Sequence, residues 1–226
     1  MLVLGGLFLI LCLVIGYKTT SRLGITWLWG KFFLWTVSAR MVVKGREHIP
    51  KEGGAVFLFS HASYLDIPVL CASKGGQINF AAKSFLLDFP ILGFIMRAVK
   101  AIVIYPDRER SIEQYKLAEE RLKAGDSFMI APEGGRSNGE ELLPFKSGPF
   151  IFAMNAKADL VPVLIYGAHK LWPSKDKLPN LRKLFGTVHV EYFPKVSTAD
   201  FTDDNRKEKA EEIRLRMLNS LKKLQA

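Results

Sequence analysis

The stretch FSHASYLDIPVL, residues 59–70, places His61 five positions ahead of Asp66. A carboxylate bonded to one imidazole nitrogen fixes the tautomer and leaves the other nitrogen bare to take a proton. That is the equipment of a general base. On a regular helix, residues five apart point roughly 140° away from each other and could not meet. Pro68 fits the first turn of a helix and biases Ile67 against the α region, so the expected path is strand, turn across 61–66, then helix. Such a turn can fold Asp66 back onto His61. The plainer alternative, Asp66 as a helix cap and His61 as a loop residue, stays open on this pair alone. Ser60 and Ser63 suggest a serine nucleophile, but neither lies in a G-x-S-x-G elbow.

A second constellation is APEGGRSNGEELLPFKSG, residues 131–148. The apolar run SFMIAP delivers Glu133, Gly134, Gly135, Arg136 and Ser137 into a loop. Glycines let backbone N–H groups approach an anion, and arginine offers a planar fork suited to phosphate. Glu133 could orient that arginine or accept from a substrate hydroxyl. Lys83 after INFAA and Arg108 after AIVIYPD also follow strand-like runs. If the strands are parallel, these three cations and His61 converge on one rim of the sheet, where sites on parallel sheets gather.

The positioning elements alternate along the chain. Apolar β-type runs occur at GAVFLFS, INFAA, AIVIY, SFMIAP, LVPVLIYG and TVHVEYF. Apolar character on nearly every residue implies burial on both faces, hence an α/β fold with a largely parallel central sheet flanked by helices. The clearest helix is SIEQYKLAEERLKAG, with Ser111 and Gln114 as an expected capping box and Gly125 as its stop. PILGFIMRAV and FKSGPFIFAMNAK are further helices. The tail from Asn205 is a charged helix with an expected apolar stripe of Ile213, Leu215, Met217, Leu218 and Leu221.

With 226 residues the chain is one domain, or one domain plus an appendage. Its 49% hydrophobic content is high for a soluble globule, and the excess lies at the front. MLVLGGLFLILCLVIGY carries no charge, and GITWLWGKFFLWTVSARMVV follows it; no acid precedes Glu47, while Lys18, Arg22, Lys31, Arg40, Lys44 and Arg46 all do. A basic, acid-free apolar segment suits an anionic membrane surface on the cytoplasmic side. The expected organisation is a membrane-interface helical pair over 1–43, embedded without fully crossing, and an α/β domain over 44–226. The net charge of +10 also raises nucleic acid, but the cations are dispersed and no reading motif accompanies them. Cys12 and Cys71 lie in apolar surroundings and read as packing residues.

Together these residues resemble the glycerolipid acyltransferase family, specifically its bacterial 1-acylglycerol-3-phosphate acyltransferases. SHASYLD resembles the H-x4-D motif. KSFLLDFPILG…AIVIYPDR resembles the second block, through Lys83, Pro90, Gly93 and Arg108. PEGGRS resembles the third, usually E-G-T-R, and LVPVLIYG the fourth, around Pro162. Ser60 stands where the family usually has Asn, Gly135 replaces the usual Thr, and YPDR is longer than the common form. The resemblance implies that His61 is the general base on the 2-hydroxyl of lysophosphatidate and that Asp66 holds it. Lys83, Arg108 and Arg136 would bind the phosphate, with Glu133, Gly134 and Ser137 shaping that pocket. The donor would be an acyl carrier protein or coenzyme A thioester, and no metal or other cofactor is expected. Two alternatives are another acceptor, such as glycerol-3-phosphate or another lysolipid, and a non-catalytic protein that binds anionic lipid.

Overall fold

The computed structural model describes residues 14–176, 179 and 185–226. Most of the expected first membrane segment, residues 1–13 with Cys12, lies outside them. Two helices open the described chain, α1 (Tyr17–Arg22) and α2 (Ile25–Thr36). The α/β layers follow: β1 (Arg40–Lys44), β2 (Ala55–Phe59), α3 (Asp66–Lys74), β3 (Asn79–Lys83), α4 (Pro90–Ala98), β4 (Ile102–Ile104) and α5 (Arg108–Lys123). Then come β5 (Phe128–Ile130), α6 (Gly148–Asn155), β6 (Asp159–Tyr166), the short α7 (Ala168–Leu171), β7 (Thr187–Tyr192) and α8 (Arg206–Gln225). No helix among the described residues is long and apolar enough to cross a membrane.

The strands form one seven-stranded sheet in the order β1-β7-β6-β2-β5-β3-β4. All neighbours are parallel except β6 and β7. The sequence pattern explains the difference. β2 is buried at every residue and β6 at all but its first, as strands covered on both faces must be. β7 alternates, with Val188, Val190 and Tyr192 buried and Thr187, His189 and Glu191 not. That period of two suits a strand covered mainly on one face.

Successive side chains of each strand feed opposite cores. Val56, Leu58, Phe128 and Ile130 pack with Leu122, Phe152, Ile213 and Met217 from α5, α6 and α8. Ala55, Phe57, Phe59 and Met129 pack with Leu34, Val69 and Leu70 from α2 and α3. Burying each large apolar side chain stabilises the fold by about 1.5–3 kcal/mol, and both layers are held that way. Cys71 belongs to the second core, where burial pushes its thiol up to about 12. Gly30 lets α2 lie against α3, because a Cβ there would stand 2.5 Å from the Pro68 carbonyl oxygen.

Three expectations are corrected. Residues 40–43, placed with the front helices, are the start of β1: Met41, Val42 and Val43 pair with Val188, His189 and Val190. Ser111 and Gln114 do not form a capping box, because α5 starts earlier. Asp107 is the cap, accepting from the Arg110 N–H at 2.8 Å, while the Ser111 hydroxyl turns back to Tyr105. In α8 the buried stripe is Ala210, Ile213, Met217 and Leu221, with Leu215 45% exposed on the outer face.

Candidate active site

The five-residue spacing closes as a turn. β2 ends at Phe59, α3 begins at Asp66, and the carboxylate reaches back across the segment between them. Asp66 Oδ2 accepts from His61 Nδ1 at 2.7 Å and from the N–H groups of Ala62 and Ser63, both at 2.8 Å. Asp66 is only 1% exposed, so three donors replace the water it lost. Ile67 is helical in spite of Pro68, because Asp66 fixes the turn ahead of it. With Nδ1 bonded to a carboxylate, Nε2 is the nitrogen left to accept a proton; it has no partner among the described residues, and the side chain is 25% exposed. Phe59 lies edge-on to the ring, 5.5 Å between centroids.

The serines have structural work. Ser63, fully buried, donates to the Trp172 carbonyl at 2.6 Å and accepts from the Leu65 N–H at 3.0 Å. The Ser60 hydroxyl accepts from the Ile165 N–H at 2.8 Å, prolonging the β2–β6 pairing beyond the strand. Neither is presented as a nucleophile.

The loop after β5 locks onto this turn. Glu133, buried, accepts from the His61 N–H through Oε1 at 3.1 Å and from the Leu143 N–H through Oε2 at 2.8 Å. Burial pushes its carboxyl above the usual value, and those two backbone donors pull against the shift. The Ser137 N–H donates to the His61 carbonyl at 2.8 Å, and the Ser137 hydroxyl accepts from the Gly139 N–H at 3.1 Å. His61 is therefore gripped through its ring by Asp66 and through its backbone by residues 133 and 137. Both Glu133 oxygens accept main-chain donors, and no bond from Glu133 to Arg136 is present among the described residues. Nothing in the spacing announces that role.

Gly134 makes its turn at φ +70°, where a side chain would be strained. A Cβ on Gly135 would meet nothing within 4 Å, and the N–H groups of Gly135 and Arg136 have no acceptor among the described residues. Arg136 is exposed, its guanidinium 4.1 Å above the Tyr64 ring. Lys146, absent from the sequence reading as a site residue, lays its stem over Gly134, with side-chain carbons 3.4 and 3.7 Å from where a Cβ would stand. Its only sequence signal is membership of the same PFKSG stretch.

Lys83 ends β3, and Arg108 opens α5 just past β4, both exposed and on the same sheet edge as His61. Neither has an ionic partner among the described residues. At about 4.8 Å per strand, β3 lies roughly 10 Å across the sheet from β2, and β4 roughly 14 Å. Arg108 stands at the positive end of α5, where a cation is disfavoured by about 0.3–1 kcal/mol.

Comparison with known proteins fits this arrangement. Residues 40–166 match the acyltransferase family. The chain is 29% identical over 178 residues to the chloroplastic 1-acyl-sn-glycerol-3-phosphate acyltransferase of Arabidopsis thaliana, covering 74% of this chain and 49% of that one. It is 28% identical over 223 residues to the 1-acyl-sn-glycerol-3-phosphate acyltransferase of Saccharomyces cerevisiae, covering 95% and 71%. The chain spans about half the length of the plant relatives it matches. The crystal structure of the 1-acyl-sn-glycerophosphate acyltransferase from Thermotoga maritima shares the fold, with a TM-score of 0.73 at 21% identity over 100% of this chain and 96% of that one. With more than half of its length matched and the H-x4-D pair in bonding contact, the chain belongs to the acyltransferase family.

Proposed function

We propose that the protein transfers an acyl group from a thioester of acyl carrier protein or coenzyme A to the 2-hydroxyl of 1-acylglycerol-3-phosphate, giving phosphatidic acid. The observation that carries the reading is the 2.7 Å bond from His61 Nδ1 to Asp66, which leaves Nε2 without a partner at a sheet edge whose cations Lys83, Arg108 and Arg136 lack ionic partners among the described residues. Nε2 takes the hydroxyl proton as the oxygen attacks the thioester carbonyl. The C–S bond of the tetrahedral intermediate then breaks, and the imidazolium returns the proton to the departing thiolate. A thioester is already activated, so the sequence needs neither a covalent enzyme intermediate nor another cofactor.

Arg136 and Lys83 hold the acceptor's phosphate in this scheme, with Arg108 at the outer margin. Proton transfer supplies typically ~10²–10⁴-fold, so positioning of the phosphate and stabilisation of the oxyanion supply the remainder. Exposed Trp27, Leu28 and Trp35 on α2 suit a membrane interface, where the acceptor's acyl chain resides.

The test is thiol release from acyl carrier protein and coenzyme A thioesters, with lysophosphatidate, glycerol-3-phosphate and a neutral lysolipid as acceptors. Turnover with lysophosphatidate that His61→Ala abolishes while the fold persists supports the reading. Turnover confined to another acceptor changes the substrate. No turnover with any pair, alongside binding to anionic vesicles, makes the protein a lipid-binding module instead.

A further inference from the structure

We infer that Tyr64 is a positioning residue for Arg136: its ring holds the guanidinium in place without neutralising it, so the arginine stays open to a phosphate monoester. The inference rests on the reading of Arg136 as the phosphate contact.

Arginine beside a buried acidic centre would ordinarily pair with a carboxylate. Here neither Asp66 nor Glu133 bonds Arg136 among the described residues. Asp66 Oδ2 holds three donors, and each oxygen of Glu133 accepts a main-chain N–H. The partner left to Arg136 is the face of Tyr64, 4.1 Å from its central carbon. The two kinds of partner differ in consequence. A bidentate carboxylate occupies the same N–H fork that a phosphate needs, and an incoming ligand must displace it. An aromatic face attracts the cation through its quadrupole and leaves those donors free.

Tyr64 is itself braced. Trp172 packs against it at 5.4 Å between centroids, and Phe33 of α2 stacks on Trp172 at 6.4 Å and 11°. Ser63, next in the chain, bonds the Trp172 carbonyl at 2.6 Å, which fixes the ring pair relative to the turn that carries His61. Tyr64 lies three residues after His61 and is 44% exposed. The platform thus fixes the distance between the base and the cation, which are carried by different loops.

The experiment uses the full chain and four variants: Tyr64→Phe, Tyr64→Leu, Arg136→Ala, and Tyr64→Leu with Arg136→Ala. Tyr64→Leu is expected to raise acceptor KM about three- to tenfold, the scale of a partly desolvated cation–π contact. Its kcat and its donor KM stay within about twofold, and Tyr64→Phe, which keeps the ring, stays near the parent. In the Arg136→Ala background, Tyr64→Leu adds less than about twofold, because the group it positions is gone. Equal penalties in both backgrounds, or a Tyr64→Phe protein as impaired as Tyr64→Leu, would overturn the inference. Should the parent turn over no lysophosphatidate, the proposed function fails on its own. The platform is then decided by titrating the same variants with glycerol 3-phosphate. Weakened binding in Tyr64→Leu that vanishes without Arg136 supports it, and unchanged binding refutes it.

Discussion

Asp66→Asn isolates the electrostatic part of the proposed base. The change removes a charge and almost no volume from a residue that is 1% exposed. Asn retains a carbonyl oxygen that can accept from Ala62 and Ser63, the two backbone donors at 2.8 Å. Those bonds weaken from charged to neutral strength, a loss of roughly 1–3 kcal/mol in stability, so the variant folds with a lower Tm. The loss at the transition state is larger. There His61 becomes an imidazolium, and Asp66 Oδ2 lies 2.7 Å from its Nδ1. Unit charges about 4 Å between centres, at an effective dielectric near 20, attract by about 4 kcal/mol. At about 1.36 kcal/mol per decade this is close to a thousandfold in rate. The expected result is kcat down by ~10²–10⁴, acceptor KM within about threefold, and a cooperative melt by circular dichroism. A folded Asp66→Asn enzyme that keeps more than about a tenth of parental kcat would refute this account of the pair.

Other substitutions probe the supports of the site. Glu133→Gln presents an NH₂ where an oxygen now accepts from His61 or Leu143, leaving one buried N–H unpaired at about 1–3 kcal/mol. Turnover and Tm should fall together, and an unchanged melt would remove the clamp role. At Gly30, alanine gains up to about 1 kcal/mol in helix propensity but drives a Cβ to 2.5 Å from the Pro68 oxygen and 2.7 Å from the Ala72 nitrogen. Both are backbone atoms, so overpacking of about 1–3 kcal/mol should win and α2 should loosen from α3, read as faster proteolysis near residue 30. Lys74, whose ammonium lies 5.4 Å from the Phe57 ring, is held by burial at about 8. Below about 8 both folded and unfolded chains carry the charge, and the folded one bears the burial penalty; between about 8 and 10.5 only the folded chain sheds the proton, so this group's contribution to stability rises with pH. Lys74→Met should therefore raise Tm at pH 7 by more than at pH 10, and melts showing the opposite order would refute the sign.

What the sequence revealed and what it hid divide along a physical line. The strands around Phe57 and Val161 were legible because burial on both faces demands apolar residues throughout, a pattern that one chain displays by itself. The His61–Asp66 contact was legible because a six-residue turn is local, and Pro68 marked its end. β1 was obscured because Met41–Val43 continue an apolar front, and only pairing with β7 separates strand from helix there. The cap of α5 was misplaced because Ser and Gln at the right spacing compete with Asp107, and which donor is free depends on where β4 ends. The contacts of Glu133 and Tyr64 were missed for a shared reason. One partner of each lies 72 residues away, and neither a main-chain N–H nor a ring face leaves a mark in sequence.

The two carboxylates beside the turn, Asp66 and Glu133, bond donors other than arginine and lysine. Asp66 takes an imidazole and two N–H groups, and Glu133 takes two N–H groups from separate segments. Had either paired with Arg136, the edge would be closer to neutral and a phosphate would have to break an ion pair to enter. Backbone donors do not titrate, so those bonds to the two carboxylates leave the guanidinium of Arg136 unpaired by either. The same arrangement ties the two loops through His61, whose N–H and carbonyl bond residues 133 and 137. A shift of the loop that carries Arg136 therefore moves His61 with it, and the distance between the proposed base and the proposed phosphate contact is held by hydrogen bonds between the two loops.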